Sequence, residues 1–484
     1  MSSVSGTEVR WAQARPDVQI RFTPWFIFLV SAGILCLAVP ALLVLQTPGL
    51  PRSGAWVLSL ALAVWSGIRL SIILGQGHIR LFAFFFWLFT YVFTGIAPTV
   101  QIRADQPSST TPGISALADN AMMWTVILGV VMFEIGSFAA QMRSSRLIIR
   151  SAPDATRTGL HTGATLALLA VGLSFQAFYL GRIGLATFFE SREAMAVARE
   201  TAFPNPPVRA IVISLAWYPT LVAVGALLQL RRQAARWWIR TGYLALILAG
   251  TAMTAVLANP TSTTRYVAGT VYFALAVMFG AVATVARVRV SLTAIIVGLF
   301  FLFPIADAFR KSERSFERES FYGEYLGNAD YDAVWQVSNA LSYWSSGAAE
   351  FGRQAIGLVL FWVPRSLWPG KPTDTGILLA EYQGYDFENL SAPLWAEAMV
   401  NAGPVGVAVV FFGFGFLLNR MDSRIQGSLR TSGIWLIVAA IVPAYMLILL
   451  RGSLLQATGG LVVMVLSLLA VRRPQRSPGL TQDP

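Results

Sequence analysis

Cysteine and histidine are almost missing from this chain of 484 residues: Cys36 stands alone, and His78 and His161 are the two histidines. A single cysteine excludes an intrachain disulfide and says nothing about compartment. Two histidines, each beside an apolar stretch, offer no metal-ligand spacing, so neither a metal nor a cofactor is expected. Charge is scarce too. Charged residues make up 12% of the chain, against about 25% in a soluble globular protein. Acidic residues are the scarcer sign, 24 against 36 lysines and arginines, for a net charge of +12. What fills the chain instead is apolar: 55% of residues are hydrophobic, with a mean hydropathy of +0.61. These numbers describe a polytopic membrane protein. Its surplus arginines lie in short loops beside apolar runs, where they encode orientation, and this argues against nucleic acid as a partner.

Residues 1–24 are polar and carry Arg10, Arg15 and Arg21 ahead of the first apolar run. That run, 25–45, exceeds the roughly 7–15 residues of a signal-peptide core and lacks a small-residue cleavage site, so it is expected to remain as a first helix. Further apolar runs fall at 55–74, 79–100, 120–140, 161–181, 209–230, 241–258, 265–284, 291–309, 393–418, 431–450 and 453–471. A hydrocarbon core about 30 Å thick takes roughly 20 helical residues, so the expected fold is an all-α integral membrane protein of about twelve spans. Spans one to nine occupy 25–309, a large extracytoplasmic loop occupies 310–392, and spans ten to twelve occupy 393–471. Tails at 1–24 and 472–484 complete the chain.

Orientation follows from the arginines. With the N terminus in the cytoplasm, the inside loops hold Arg80; Arg143, Arg146, Arg150 and Arg157; Arg231, Arg232, Arg236 and Arg240; Arg287 and Arg289; and Arg420, Arg424 and Arg430. The outside loops hold little beyond Arg52, Arg103 and the helix-end residues Arg265 and Arg451. The positive-inside rule then places both termini in the cytoplasm and the long loop outside. A second outside segment, 181–208, is too polar to span; Phe188 to Arg199 reads as a short amphipathic surface helix, ended by Pro204, Pro206 and Pro207. No internal repeat is visible, which weighs against transporters built from repeated halves.

The long loop carries most of the chemistry. It opens with Asp307, Arg310, Arg314 and Arg318, the three arginines spaced by four on one helical stripe with Glu313 and Glu317 alongside. A solvated helix laced with ion pairs and an anion-binding face are both open readings. Asp330-Tyr331-Asp332 matches a metal-nucleotide pattern of sugar transferases, but it precedes an expected helix from Ala333 to Trp344, and helix capping is the better reading. Ala355 to Val363 is apolar but too short to cross, so it is expected to be re-entrant or interfacial. Beyond it, Pro364, Pro369 and Pro372 put three prolines in nine residues and hold Arg365 and Lys371 on a stiff, non-helical segment with Trp362 and Trp368. Rigid cations suit a fixed anion such as phosphate; a proline-rich turn anchored by interfacial tryptophans is the plain alternative. Glu397 then falls about one turn inside the tenth span, where a carboxylate is costly unless paired or functional, and Asn401 shares its face.

The combination Asn259-Pro260 with Arg265, Pro304 with Asp307 and Arg310, Val363-Pro364-Arg365 with Trp368-Pro369 and Lys371-Pro372, and Leu394-Trp395-Ala396-Glu397 with Asn401 and Gly403 resembles the Wzy-type O-antigen or oligosaccharide repeat-unit polymerases. The resemblance covers most of the chain from about residue 181, and the segment around Arg365 is its most specific part. It implies a many-helix glycosyltransferase of the GT-C class in the cytoplasmic membrane. Its expected substrate is an oligosaccharide carried on undecaprenyl pyrophosphate at the outer face, with membrane lipid, a chain-length regulator and a flippase as further partners. In this reading Arg365 and Lys371 meet the pyrophosphate, with Arg265, Arg310, Arg314 or Arg451 completing a clamp. Glu397 activates or orients the acceptor hydroxyl, Asp307 holds Arg310 or Lys311, and Trp368 and Asn401 line the substrate. Fixed guanidinium groups stabilise the charge that develops as a glycosyl–pyrophosphate bond breaks, and this chemistry needs no metal.

Three rivals differ in testable ways. An O-antigen ligase relies on a histidine in the large outer loop, and both histidines here fall near the cytoplasmic side. Transferases using polyprenyl monophosphate sugars carry an acidic residue in the first outer loop, and Gln46 to Gly54 has none. A flippase or transporter predicts charge at mid-membrane, where Arg69 and Glu134 are the exceptions in this chain.

Overall fold

A computed structural model describes residues 22–47, 49–148, 159–302, 322–388, 390–428 and 433–473. These residues are mostly helical and form no strand; a lone bridge joins Leu160 to Arg472. Among the described residues, ten helices are long and apolar enough to cross a membrane. They are α1 (Thr23–Gln46), α2 (Trp56–Gln76), α3 (Leu81–Arg103), α4 (Ala116–Arg143), α5 (Thr162–Ile183), α7 (Val208–Gln233), α8 (Trp237–Leu257), α14 (Leu394–Gln426), α15 (Ile434–Arg451) and α16 (Leu454–Val471). Between them lie the shorter α6 (Arg192–Ala202), α9 (Arg265–Met278), α10 (Val285–Val297), α11 (Ala333–Ser345), α12 (Arg353–Val359) and α13 (Thr375–Gln383).

Ten of the twelve expected spans therefore appear at full length. The eighth, expected over 265–284, is the 14-residue α9. At about 1.5 Å per residue it reaches roughly 21 Å, short of a hydrocarbon core. It stops because the chain turns at 279–284, with Gly280 at φ 101°, a conformation open to glycine. The ninth begins as α10 and continues through Gly298–Leu302 to the edge of the described residues. The surface helix expected from Phe188 is a short turn at Ala186–Phe189 followed by α6, whose start is set by the Ser191 hydroxyl accepting from the Ala194 amide at 3.2 Å.

Helix α3 is the centre of the bundle. Its strongest apolar window is 94% buried, whereas α8 buries 17% of its own and presents residues such as Leu248 outward. That gradient suits helices ringed by lipid, where outer positions need only be apolar. Phe86 stacks on Phe133 of α4 at 3.5 Å between ring centroids, and Phe89 stacks on Trp395 of α14 at 6.2 Å. The intramembrane exceptions answer each other: Arg69 donates to Glu134 at 2.6 Å and lies over the Trp87 ring.

Contacts sort the connecting segments to two ends. One end gathers the 104–118 segment, the α6 region, the turn before α9 and the long loop: Ser262 donates to the Phe188 carbonyl, Gln101 to those of Tyr325 and Tyr331, and Thr110 to Asp332. The other end gathers 77–80, 159–161, 419–428 and 472–473, where Asp422 accepts from the Phe82 and Ala83 amides at 3.0 Å each.

Candidate functional site

The tryptophan of Leu394-Trp395-Ala396-Glu397 sets the site's rotation. Its indole donates to the Val126 carbonyl on α4 at 3.0 Å, which fixes α14 about its axis. Glu397, two residues on, then faces α13 and the start of α16, at 5% exposure. The Thr375 hydroxyl donates to its Oε2 at 2.8 Å, and the Ser453 hydroxyl and Leu454 amide donate to its Oε1 at 3.1 and 2.8 Å. The last of these is the first turn of α16, whose N-terminal dipole favours a carboxylate. Asp374 lies beside this group. Its Oδ1 accepts from the Gly376 amide at 2.9 Å, its Oδ2 finds no partner among the described residues, and burial pushes its carboxyl above the ordinary range.

One turn after Glu397, α14 breaks. Ala402 (φ −155°) and Gly403 (φ 59°, ψ −150°) leave helical geometry, and Pro404 restarts the helix. Gly403 is required here, because its conformation excludes other residues and a Cβ would strike the Trp344 ring. Asn401 fills the gap. Its Nδ2 donates to the Glu397 carbonyl at 2.8 Å, its Oδ1 accepts from the Ala355 amide at 2.8 Å, and its carbonyl accepts from Gly352 at 2.9 Å. Asn401 thus ties the broken span to the first turn of α12.

Arg265 and Arg451 come together, but on acidic partners. Asp330 bonds Arg265 directly, and accepts from Arg451 Nη2 at 3.1 Å through Oδ1 and from Arg451 Nε at 3.1 Å through its carbonyl. Asp332 Oδ1 stands 3.6 Å from Arg451 and accepts from the Ser391 hydroxyl at 2.7 Å. The capping role expected for this Asp-x-Asp pair is not made: Asp332 occupies the position before α11, yet its side chain caps no amide there. Its oxygens are taken instead by the Ser391 and Thr110 hydroxyls and the Gln336 amide, with Arg451 close by, and these donors satisfy the buried carboxylate in place of the helix amides. No group of three metal-ligating side chains occurs among the described residues.

Arg365 and Lys371 also come together, and each braces the segment that carries it. Arg365 donates to the carbonyls of Lys371 at 2.9 Å and Pro372 at 3.3 Å; Lys371 Nζ donates to those of Phe361 at 2.6 Å and Val363 at 2.9 Å. Prolines remove amide donors, and these cations supply donors in their place. Arg365 is exposed and Trp368 half-buried within the same turn. Partial burial and the Arg365 charge lower the Lys371 pKa. Asp307, Arg310 and Arg314 lie outside the described residues.

Lys371 lines a cleft of about 300 Å³ with Tyr343, Glu350, Arg353, Glu381 and, from α14, Val400. Arg353 bonds Glu350 and donates to the Gly370 carbonyl at 3.2 Å. Sequence reasoning missed Arg353, Glu350 and Thr375; the visible signal was the i,i+3 spacing of the first two at the edge of an apolar run. Glu397 lies three residues from Val400 and bonds Thr375, two residues from the cleft residue Thr373. Comparison with family models, with curated proteins and with solved structures gives no match to this chain.

Proposed function

We propose that this chain is a membrane glycosyltransferase that polymerises oligosaccharide repeat units carried on undecaprenyl pyrophosphate, at the outer face of the cytoplasmic membrane. The reading includes twelve spans and cytoplasmic termini. Its main support is one observation: a polar cleft bearing Lys371 and Arg353 lies within a helical turn of the buried carboxylate Glu397, at the end of the bundle that carries the long loop. The motif resemblance around Arg365 and Glu397 supports the same reaction.

In the proposed step an acceptor hydroxyl loses its proton as its oxygen bonds to the donor sugar's anomeric carbon. The bond from that carbon to the pyrophosphate oxygen breaks, and undecaprenyl pyrophosphate leaves with the electron pair. Lys371, with Arg365 beside it, meets the departing charge. Glu397 takes the proton, once the acceptor hydroxyl replaces Thr375 or Ser453 as a donor to the carboxylate. Trp368 and Asn401 shape the substrate's surroundings, and Asp307, Arg310 and Arg314 complete the clamp from the start of the loop. Arg265 and Arg451, already paired with Asp330, hold the loop to the spans.

The test is the length distribution of lipid-linked glycan in cells lacking the chain. Accumulated single repeat units on the outer face are the expected result. Long chains left on the lipid would point to ligation, and single units confined to the cytoplasmic face would point to a flippase.

A further inference from the structure

Helix α12 is built inside out. It buries Gln354 and Gly357 and exposes Ile356 (53%) and Val359 (72%). Residues around it continue the pattern: Phe351, Trp362 and Leu367 are 80%, 68% and 78% exposed. A loop facing water turns such side chains inward, because exposed apolar area is unfavourable. Here five large apolar residues within 351–367 point away from the protein while a glutamine points in. The same inversion marks the lipid-facing sides of the spans. On α14, Val405 and Val409 are 70% and 66% exposed just beyond the break, and α12 packs against both α14 and α16. The exposed face of the loop is therefore continuous with the apolar belt of the bundle.

We propose that Phe351, Ile356, Val359, Trp362 and Leu367 form a wedge seated among the acyl chains of the leaflet at the loop end. The occupant of this face is bilayer lipid. Charge agrees with that placement: Arg353, Arg365 and Lys371 border the wedge, where lipid phosphates lie. Trp362 sits where tryptophans concentrate at membrane interfaces. The consequence is a depth for the cleft. Its floor at Lys371 and Pro372 adjoins the wedge, since Gly357 packs against the Pro372 ring. A molecule with a lipid tail and a polar head then reaches the cleft sideways from the leaflet. This rests on the membrane reading of the spans and not on the sugar chemistry.

The lone cysteine makes the test clean. In a Cys36→Ser background, Val359→Cys, Leu367→Cys and, as a solvent-facing control, Asp386→Cys are each labelled with an environment-sensitive fluorophore. The full chain is placed in liposomes of phosphatidylethanolamine and phosphatidylglycerol, with iodide on both sides. Labels at 359 and 367 are expected to emit at shorter wavelength, to be quenched by nitroxides shallow on the lipid acyl chains, and to be protected from iodide; the label at 386 shows the reverse. Iodide quenching at 359 and 367 equal to that at 386 would overturn the wedge. Protection from both iodide and lipid nitroxide would overturn it too, assigning the face to a second copy or another protein.

Discussion

The two ends of the bundle use charge in different ways. At the end opposite the loop, side chains serve helix termini: Asp422 caps the first amides of α3, and Arg289 donates to the last carbonyls of α2, at 3.2 Å to Leu74 and 2.6 Å to Gly75. A cavity there, beside Arg69 and Asp422, is about 30 Å³, room for about one water. At the loop end the charges pair across distant segments. Arg52 meets Asp119 at 3.0 Å, while Arg265 and Arg451 share Asp330. In the long loop a cleft of about 300 Å³ is lined by Arg353, Lys371, Glu350 and Glu381. One end closes its helices, and the other fastens a loop over a space that can hold a substrate.

The comparison is broken first by Asp330→Ala. The substitution removes the carboxylate that two largely buried arginines share, leaving Asp332 as the acidic group beside Arg451, and breaking such a group costs about 3–5 kcal/mol; thermal unfolding in detergent should show the loop end failing first, by proteolysis within 322–388. Gly403→Ala comes next, at about 2 kcal/mol, because the residue must leave a conformation reserved for glycine and displace Trp344. Asp422→Asn, at the opposite end, keeps one acceptor and loses one charge-assisted cap, for about 1 kcal/mol and no change in turnover. Glu350→Gln is the sharpest contrast. Its pair with Arg353 is exposed, so stability should move by less than about 0.5 kcal/mol. Turnover should still fall, by about tenfold, a loss of about 1.4 kcal/mol at the barrier, because Arg353 loses the partner that aims it in the cleft.

Much of this molecule was legible in its sequence, and the failures share a cause. Apolar runs near the length of a bilayer dictate helices whatever their neighbours, so ten spans and the loop helix at Ala333–Ser345 fall where expected. The break in α14 was hidden because Asn401-Ala402-Gly403-Pro404 sits inside an apolar run whose average hydropathy stays high. Partners of charges were hidden more deeply. Asp330 draws on Arg265 and Arg451, 65 and 121 residues away, and spacing along the chain carries no sign of such pairs. Arg365 and Lys371 were seen as neighbours on a rigid turn. That they brace its carbonyls follows from the prolines only once the turn is closed. Their bracing also explains how a segment poor in amide donors keeps one shape.

The most direct measurement is polymerisation by the purified chain in liposomes loaded with lipid-linked repeat units, wild type beside Glu397→Gln. Glutamine keeps one oxygen to accept from Ser453 and Leu454 and turns its amide NH2 to donate to the Thr375 oxygen, but it cannot take a proton, so a general base is removed with little change in packing. The account predicts a ladder of lengthened chains for the wild type, and a rate lower by about 10²–10⁴ for the variant, with the unfolding temperature nearly unchanged. An equal ladder from both proteins would contradict it, as would single repeat units left untouched by the wild type.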